Sequence, residues 1–387
     1  MIQIKRLVLP MALTLFAAAG FAKGNEQVLP ATMDRTPCDP QASADAGKIL
    51  AWLGDLSMDV VPGVVSGQNC YHGNQITAEG GLDGYRQLVE KLHDQTGQWI
   101  GVIGIDYEYE KIFSSEELSQ ANKVLIDYGR AGGIVTINWA PLNPWITMET
   151  GGTVTIPKHD GPGGTRDLRK VKLDELITPG TAVYANWHKK LDRMAAALAE
   201  LQAAGVVVLW RPLQEMNGSW FWWGMKSHTR DADAYGRVWR DMYRYFTEVK
   251  GLHNLLWVYS PNSAGPVNQP WTMTADWAWP GADYVDIVAG TAYSASLEIQ
   301  DYKQYLKWGK PVAMGEYSPD GNAMAAGTFD DRLYAEKLNA KYPAVAYWVS
   351  WHNYPTLNWS VIANQHAEAL MNDPLIINRD RMSWKDN

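Results

Sequence analysis

Cysteine is nearly absent. Only Cys38 and Cys70 occur in 387 residues, so no disulfide framework can carry the fold. There is no C-x-x-C and no Cys/His spacing of a zinc site, so no metal and no cofactor are expected. Phenylalanine is scarce, 6 residues against 19 Trp and 19 Tyr. A core that needed only bulk would use more Phe, so the excess of rings with a polar handle points to a partly wet aromatic groove. No basic run appears and the net charge is −8, which argues against nucleic acid or an anionic membrane as partner. No G-x-G-x-x-G follows an early strand, which removes the main support for a doubly wound dinucleotide-binding sheet. Gly161-Pro162-Gly163-Gly164 lies in a polar insertion with no Lys-Ser/Thr after it and reads as a loop, not a phosphate cradle.

The first 22 residues have the three-part pattern of an export leader: Lys5 and Arg6, an apolar run, then Gly20-Phe21-Ala22. The run Leu7–Ala19 falls short of the roughly 20 residues that a membrane span needs. A secreted or periplasmic monomer that leaves the membrane on cleavage after Ala22 is expected. The export context permits a Cys38–Cys70 disulfide pinning an N-terminal segment, residues 23–44, to the body of the protein at 45–387.

Along that body, short apolar runs alternate with stretches of helical periodicity. Strands are expected at Val64–Gln68, Trp99–Glu108, Ile134–Trp139, Val206–Glu215, Leu255–Asn262, Ile287–Tyr293, Pro311–Ser318 and Ala344–His352. Helices are expected between them, among them Ser115–Arg130 and Ala182–Ala204, with a short Trp-rich crossover around Trp271–Trp279. Continuous apolar strands alternating with helices indicate a parallel sheet covered on both faces, and eight of them close an α/β (β/α)₈ barrel, here a single catalytic domain.

Active groups of such a barrel sit at the C-terminal ends of its strands. Those ends supply Asp106, Tyr107 and Glu108; Trp139 with Asn143; Arg211, Gln214 and Glu215; Tyr293; Glu316 with Tyr317; and Trp351, His352 and Asn353. Two glutamates stand out. Glu215 precedes an aromatic bank, Trp220-Phe221-Trp222-Trp223, and Glu316 ends the seventh strand. In a closed barrel these two ends face each other across the mouth. A carboxylate pair beside rings that stack on pyranose faces is the equipment of glycoside hydrolysis.

With Arg211-Pro212-Leu213-Gln214-Glu215-Met216-Asn217-Gly218 and Gly315-Glu316-Tyr317-Ser318 in view, the chain resembles glycoside hydrolase family 26, mainly β-1,4-mannanases, over roughly residues 45–370. Gly104-Ile105-Asp106-Tyr107-Glu108, the approach to Trp139 and Asn143-Pro144, and Trp351 with Asn353 add to it. The resemblance implies Glu215 as acid/base and Glu316 as nucleophile in an endo-acting, retaining double displacement, with Glu215 protonated near neutrality. It implies that Tyr293 orients Glu316, that Arg211 supports the carboxylates, and that Trp351 is the platform at the cleaved sugar. Trp220, Phe221 and Trp223 would shape neighbouring subsites, and the partner would be a mannan-type polysaccharide. The family commonly has His where this chain has Gln214 and again where it has Ala140. A Gln amide can still bond a hydroxyl, but it carries no charge. β-Glucan and β-1,3-xylan are alternative substrates within the resemblance, and a non-catalytic sugar-binding barrel is the alternative outside it.

Overall fold

The computed structural model describes residues 29–267 and 270–385; the expected leader lies outside them. Eight parallel strands form the barrel. The first, β1, comprises Val64–Val65 and Gly67–His72. It is followed by β2 (Val102–Asp106), β3 (Ile134–Trp139) and β4 (Val208–Pro212). Then come β5 (Leu255–Tyr259), β6 (Ile287–Tyr293), β7 (Val312–Ser318) and β8 (Val345–Trp348). Each pairs with its sequence neighbour, and β1 closes the ring by pairing with β8 at Val65 and with β2 from Gly67 onward.

Boundaries differ from expectation mostly at strand ends. β4 stops at Pro212, three residues before Glu215, because proline has no N–H for the ladder and Leu213 turns to φ 52°. β8 stops at Trp348 rather than His352. The helix α2 (Ser115–Arg130) has the expected bounds, fixed by a capping box in which Ser114 and Glu117 bond each other's backbone N–H. The crossover around Trp271–Trp279 is built of turns. Features that were not foreseen include the helix α1 (Ala44–Ser57), a two-residue strand Ile376–Ile377 beside β1, and an antiparallel pair, Lys111–Ile112 with Val154–Thr155, that anchors the loop after β3.

Side-chain parity along the strands divides the core in two. Val102, Ile134, Leu209, Val258, Ala289 and Ala313 point into the barrel, where α1 packs Ile49, Leu53 and Leu56 against them. The alternate residues, such as Ile103, Val135, Trp210 and Met314, point out toward the helices. Ser57 at the end of α1 accepts from the N–H of Val312, joining this helix to the start of β7 and so to the end of the barrel away from the strand C-termini.

The expected disulfide is absent: Cys38 and Cys70 are both free thiols. Cys38 N–H donates to Asp286 beside the start of β6, and its carbonyl accepts from Tyr243. Cys70 is wholly buried within β1. The N-terminal segment is held instead by polar contacts of this kind, including Asp39 to His253 at 2.8 Å.

Candidate active site

The strand C-termini open into a cleft of about 640 Å³. Its floor follows from parity. Arg211, two residues beyond inward-facing Leu209, enters the barrel just below the cleft. There its Nη1 donates to Glu316 Oε1 at 2.8 Å, Nη2 to Thr291 Oγ1 at 2.7 Å and Nε to Ser260 Oγ at 2.7 Å. Tyr293 is inward by the same count from Ala289, and its hydroxyl donates to Glu316 Oε2 at 2.8 Å. Both oxygens of Glu316 are therefore held.

Glu316 itself breaks parity. Inward Ala313 and outward Met314 would send Glu316 outward, but the β6–β7 register shifts between Met314 and Glu316, and this bulge re-aims the carboxylate into the cleft. Gly315 occupies the extra position. A Cβ there would lie 2.4 Å from Arg211 Nε, so only glycine lets the guanidinium through.

Glu215 reaches the cleft by a different device. Leu213 and Glu215 both have positive φ, 52° and 58°, a conformation that costs non-glycine residues energy and that packing must enforce. Leu213 N–H donates to the Trp139 carbonyl and Glu215 N–H to that of Ser260. The resulting zigzag leaves Glu215 half-buried at the mouth, where Trp220 Nε1 donates to its Oε2 at 2.7 Å. Gly218 provides the space into which the Trp220 ring folds.

The two carboxylates thus sit in unlike surroundings. Burial pushes the pKa of Glu316 up to about 7; the Arg211 guanidinium opposes this, while the negative charges of Glu215 and Asp106 add to it.

The structure brings Gln214, Glu215, Trp220, Phe221, Tyr293, Glu316 and Trp351 together around the cleft. The Oε1 of Gln214 is buried with no hydrogen-bond partner among the described residues. The other candidates lie behind this wall. Trp139 is five residues after inward Ile134 and so faces outward, stacking on Trp187 and Trp210. Trp223 stacks beneath Phe221 at 4.4 Å and donates to the Gln214 carbonyl. Glu108 is sealed against Lys190 (3.0 Å) and Arg193 (2.8 Å), and Asn143 bonds the backbone of residues 163–169. Asp106 is fully buried, 2.9 Å from His72 Nδ1, and acts on Glu316 only through its charge. His352 is buried with Nδ1 2.6 Å from Asn69 Oδ1, and burial, then His72, drives its pKa well down.

Sequence reading missed Tyr109, Glu110, His159, Arg166, Tyr354 and Trp359, all at the cleft. Tyr109 and Glu110 follow directly on a strand-end motif and Tyr354 follows Trp351, so extending those motifs would have found them. His159 and Arg166 belong to the long loop after β3, which sequence reading took as a loop able to control subsites without assigning a residue in it.

A parallel eight-stranded barrel with a carboxylate pair in an aromatic cleft at its C-terminal mouth defines a glycoside hydrolase. The comparisons with known proteins narrow the class. The chain belongs to glycosyl hydrolase family 26, whose model matches residues 38–381. It is 33% identical over 356 residues to mannan endo-1,4-beta-mannosidase A and B of Caldalkalibacillus mannanilyticus, covering 89% of this chain but only 63% of that longer protein. Mannan endo-1,4-beta-mannosidase of Bacillus subtilis strain 168 is 31% identical, with 89% of this chain and 88% of the relative covered. The solved structure of the Bacillus subtilis mannanase man26 matches with a TM-score of 0.71 at 28% identity, over 89% of this chain and 95% of the other.

Proposed function

We propose that this enzyme cleaves internal β-1,4-mannosidic bonds of mannan, galactomannan and glucomannan by double displacement with retention. The observation that carries the mechanism is the contrast between the two carboxylates. Glu316 is clamped at both oxygens by Arg211 and Tyr293, as a nucleophile with a fixed line of attack would be. Glu215 is held at one oxygen, by Trp220, and stands at the open mouth, as a proton donor to a leaving oxygen would.

In the first step, ionised Glu316 attacks the anomeric carbon while Glu215 gives its proton to the departing glycosidic oxygen. In the second, Glu215 takes a proton from water, which displaces Glu316 and restores the configuration. Trp351 supplies a face for the sugar being cleaved, and the Gln214 amide bonds a sugar hydroxyl in place of an imidazole. The mannan preference comes from the named relatives of the family. Export follows from the leader-like residues 1–22 and would deliver a monomeric barrel, residues 45–387, to a polymer outside the cell. No helix among the described residues is long and apolar enough to cross a membrane.

The test is reducing-sugar release from galactomannan by wild type beside Glu215→Ala and Glu316→Ala. Release by wild type that both variants lose supports the reaction class and both roles. A folded wild type that acts on barley glucan or β-1,3-xylan and on no mannan would overturn the substrate.

A further inference from the structure

The loop after β3 carries a side chain whose surroundings do not explain it. Arg166 borders the cleft, exposed, on a backbone that is pinned on every side. Its own N–H donates to the His159 carbonyl, the preceding Thr165 carbonyl accepts from Trp222 N–H, and Asn143 Nδ2 donates to the Asp167 carbonyl at 2.6 Å. Asp167 in turn accepts from Gly163 N–H and pairs with Arg169. This bracing fixes the point from which the Arg166 side chain leaves the backbone.

The guanidinium on this mount has no ion-pair partner among the described residues. It lies over the Phe221 ring, 5.8 Å from its centroid. The nearby carboxylates are otherwise engaged: Glu110 lies 3.0 Å from His159 Nδ1, Glu316 is held by Arg211 and Tyr293, and Glu215 by Trp220. Arg166 therefore presents donors to the cleft with only solvent to receive them. A planar fork of fixed N–H groups matches two adjacent hydroxyls of a pyranose, and the Phe221 face below restricts how it can turn.

We propose that Arg166 is a specificity-determining residue: its guanidinium binds adjacent hydroxyls of a sugar unit lying along the Tyr109–Phe221 wall, at a subsite apart from the bond being cleaved. The inference rests on the reading of the cleft as a β-mannan site. It also gives Asn143 an indirect role, because Asn143 holds the loop that carries Arg166, and it makes Phe221 a support for the guanidinium.

The experiment compares wild type with Arg166→Met, which keeps the stem over Phe221, and Arg166→Lys, on mannotriose through mannohexaose. Loss of a charge-assisted bonding pair raises KM by about tenfold to a hundredfold in Arg166→Met for oligomers long enough to reach the subsite. The shorter ones are unaffected, and kcat at saturation changes less than about threefold. Arg166→Lys recovers little of this, because one ammonium cannot reproduce the fork. Calorimetric titration of mannohexaose into Glu316→Gln, with and without Arg166→Met, reads the same loss as Kd without turnover. An unchanged KM and Kd at every length, or a fall in kcat alone, overturns the inference. If wild type cleaves glucan or xylan oligomers but no mannan, the substrate reading fails, and the same variants on those oligomers still decide whether Arg166 holds a sugar.

Discussion

Glu108 and Glu316 are the same residue type, both out of solvent, both against arginine, and they are shifted in opposite directions. Burial raises Glu108, but Lys190 and Arg193 together outweigh it, and its carboxyl ends below the ordinary value of 4.5. Burial also raises Glu316, but a single cation, Arg211, answers it, and the negative charges of Glu215 and Asp106 push the other way, to about 7. The sealed network that joins Glu108, Lys190, Arg193 and Glu149 is compensated in full and ties the β2 end, the helix Ala182–Ala203 and the long loop into one piece. The pair in the cleft is left short of positive charge. Complete compensation makes a carboxylate inert scaffolding, whereas incomplete compensation leaves it responsive near neutrality.

The largest test of that contrast is catalytic. Glu316→Ala is expected to lose about 10⁴-fold or more in kcat with the fold retained, whereas Glu108→Gln keeps measurable turnover per folded molecule. Initial rates on galactomannan, normalised to folded protein by circular dichroism, separate the two. Stability should rank them the other way. Glu108→Ala leaves two buried cations without their shared anion and should cost about 3–5 kcal/mol in urea unfolding. Because its pKa is depressed, the stability Glu108 contributes is present above the unfolded value and lost as pH falls through the folded one.

Next in size is the pH profile. A nucleophile must be ionised, so a pKa raised to about 7 makes kcat/KM fall as pH drops through that value. Arg211→Met removes the one opposing charge and should move this limb upward; a limb that stays near 4.5 in both proteins would contradict the charge balance. Gly315→Ala follows, since its Cβ must displace the Arg211 guanidinium; activity should fall by roughly tenfold to a hundredfold, with about 1–3 kcal/mol of stability lost to the overpacked strand. The smallest effect is expected at the cysteines. Both thiols are free, so a reducing agent should leave Tm unchanged, and the unfolded protein should titrate as two thiols.

Most of the barrel was legible because strand periodicity and apolar runs are local signals. β3 and β6 have the expected bounds, and α2 is written in its capping box. Arg211 and Tyr293 were found because each stands at a strand end, and counting inward from Leu209 or Ala289 gives the face. Trp139 shows the limit of reading strand ends without that count: it lies at the right height but on the outward face. The bulge at Gly315 and the positive φ at Leu213 and Glu215 have no local signature, since they arise from how neighbouring strands pair. Arg166 and His159 were beyond reach for another reason. Their place at the cleft depends on hydrogen bonds between a long loop and residues distant in sequence, such as Asn143 and Trp222.

The central claim, that Glu316 forms the bond to sugar and Glu215 handles the proton, is tested most directly by trapping the intermediate. The enzyme would be incubated with a 2-deoxy-2-fluoro-β-mannosyl fluoride, extended by one or more mannose units, and digested for mass spectrometry. The expected result is one fluorosugar per molecule, attached to the peptide containing Glu316, with turnover blocked. Attachment to Glu215, or no adduct together with a product of inverted anomeric configuration, would contradict it.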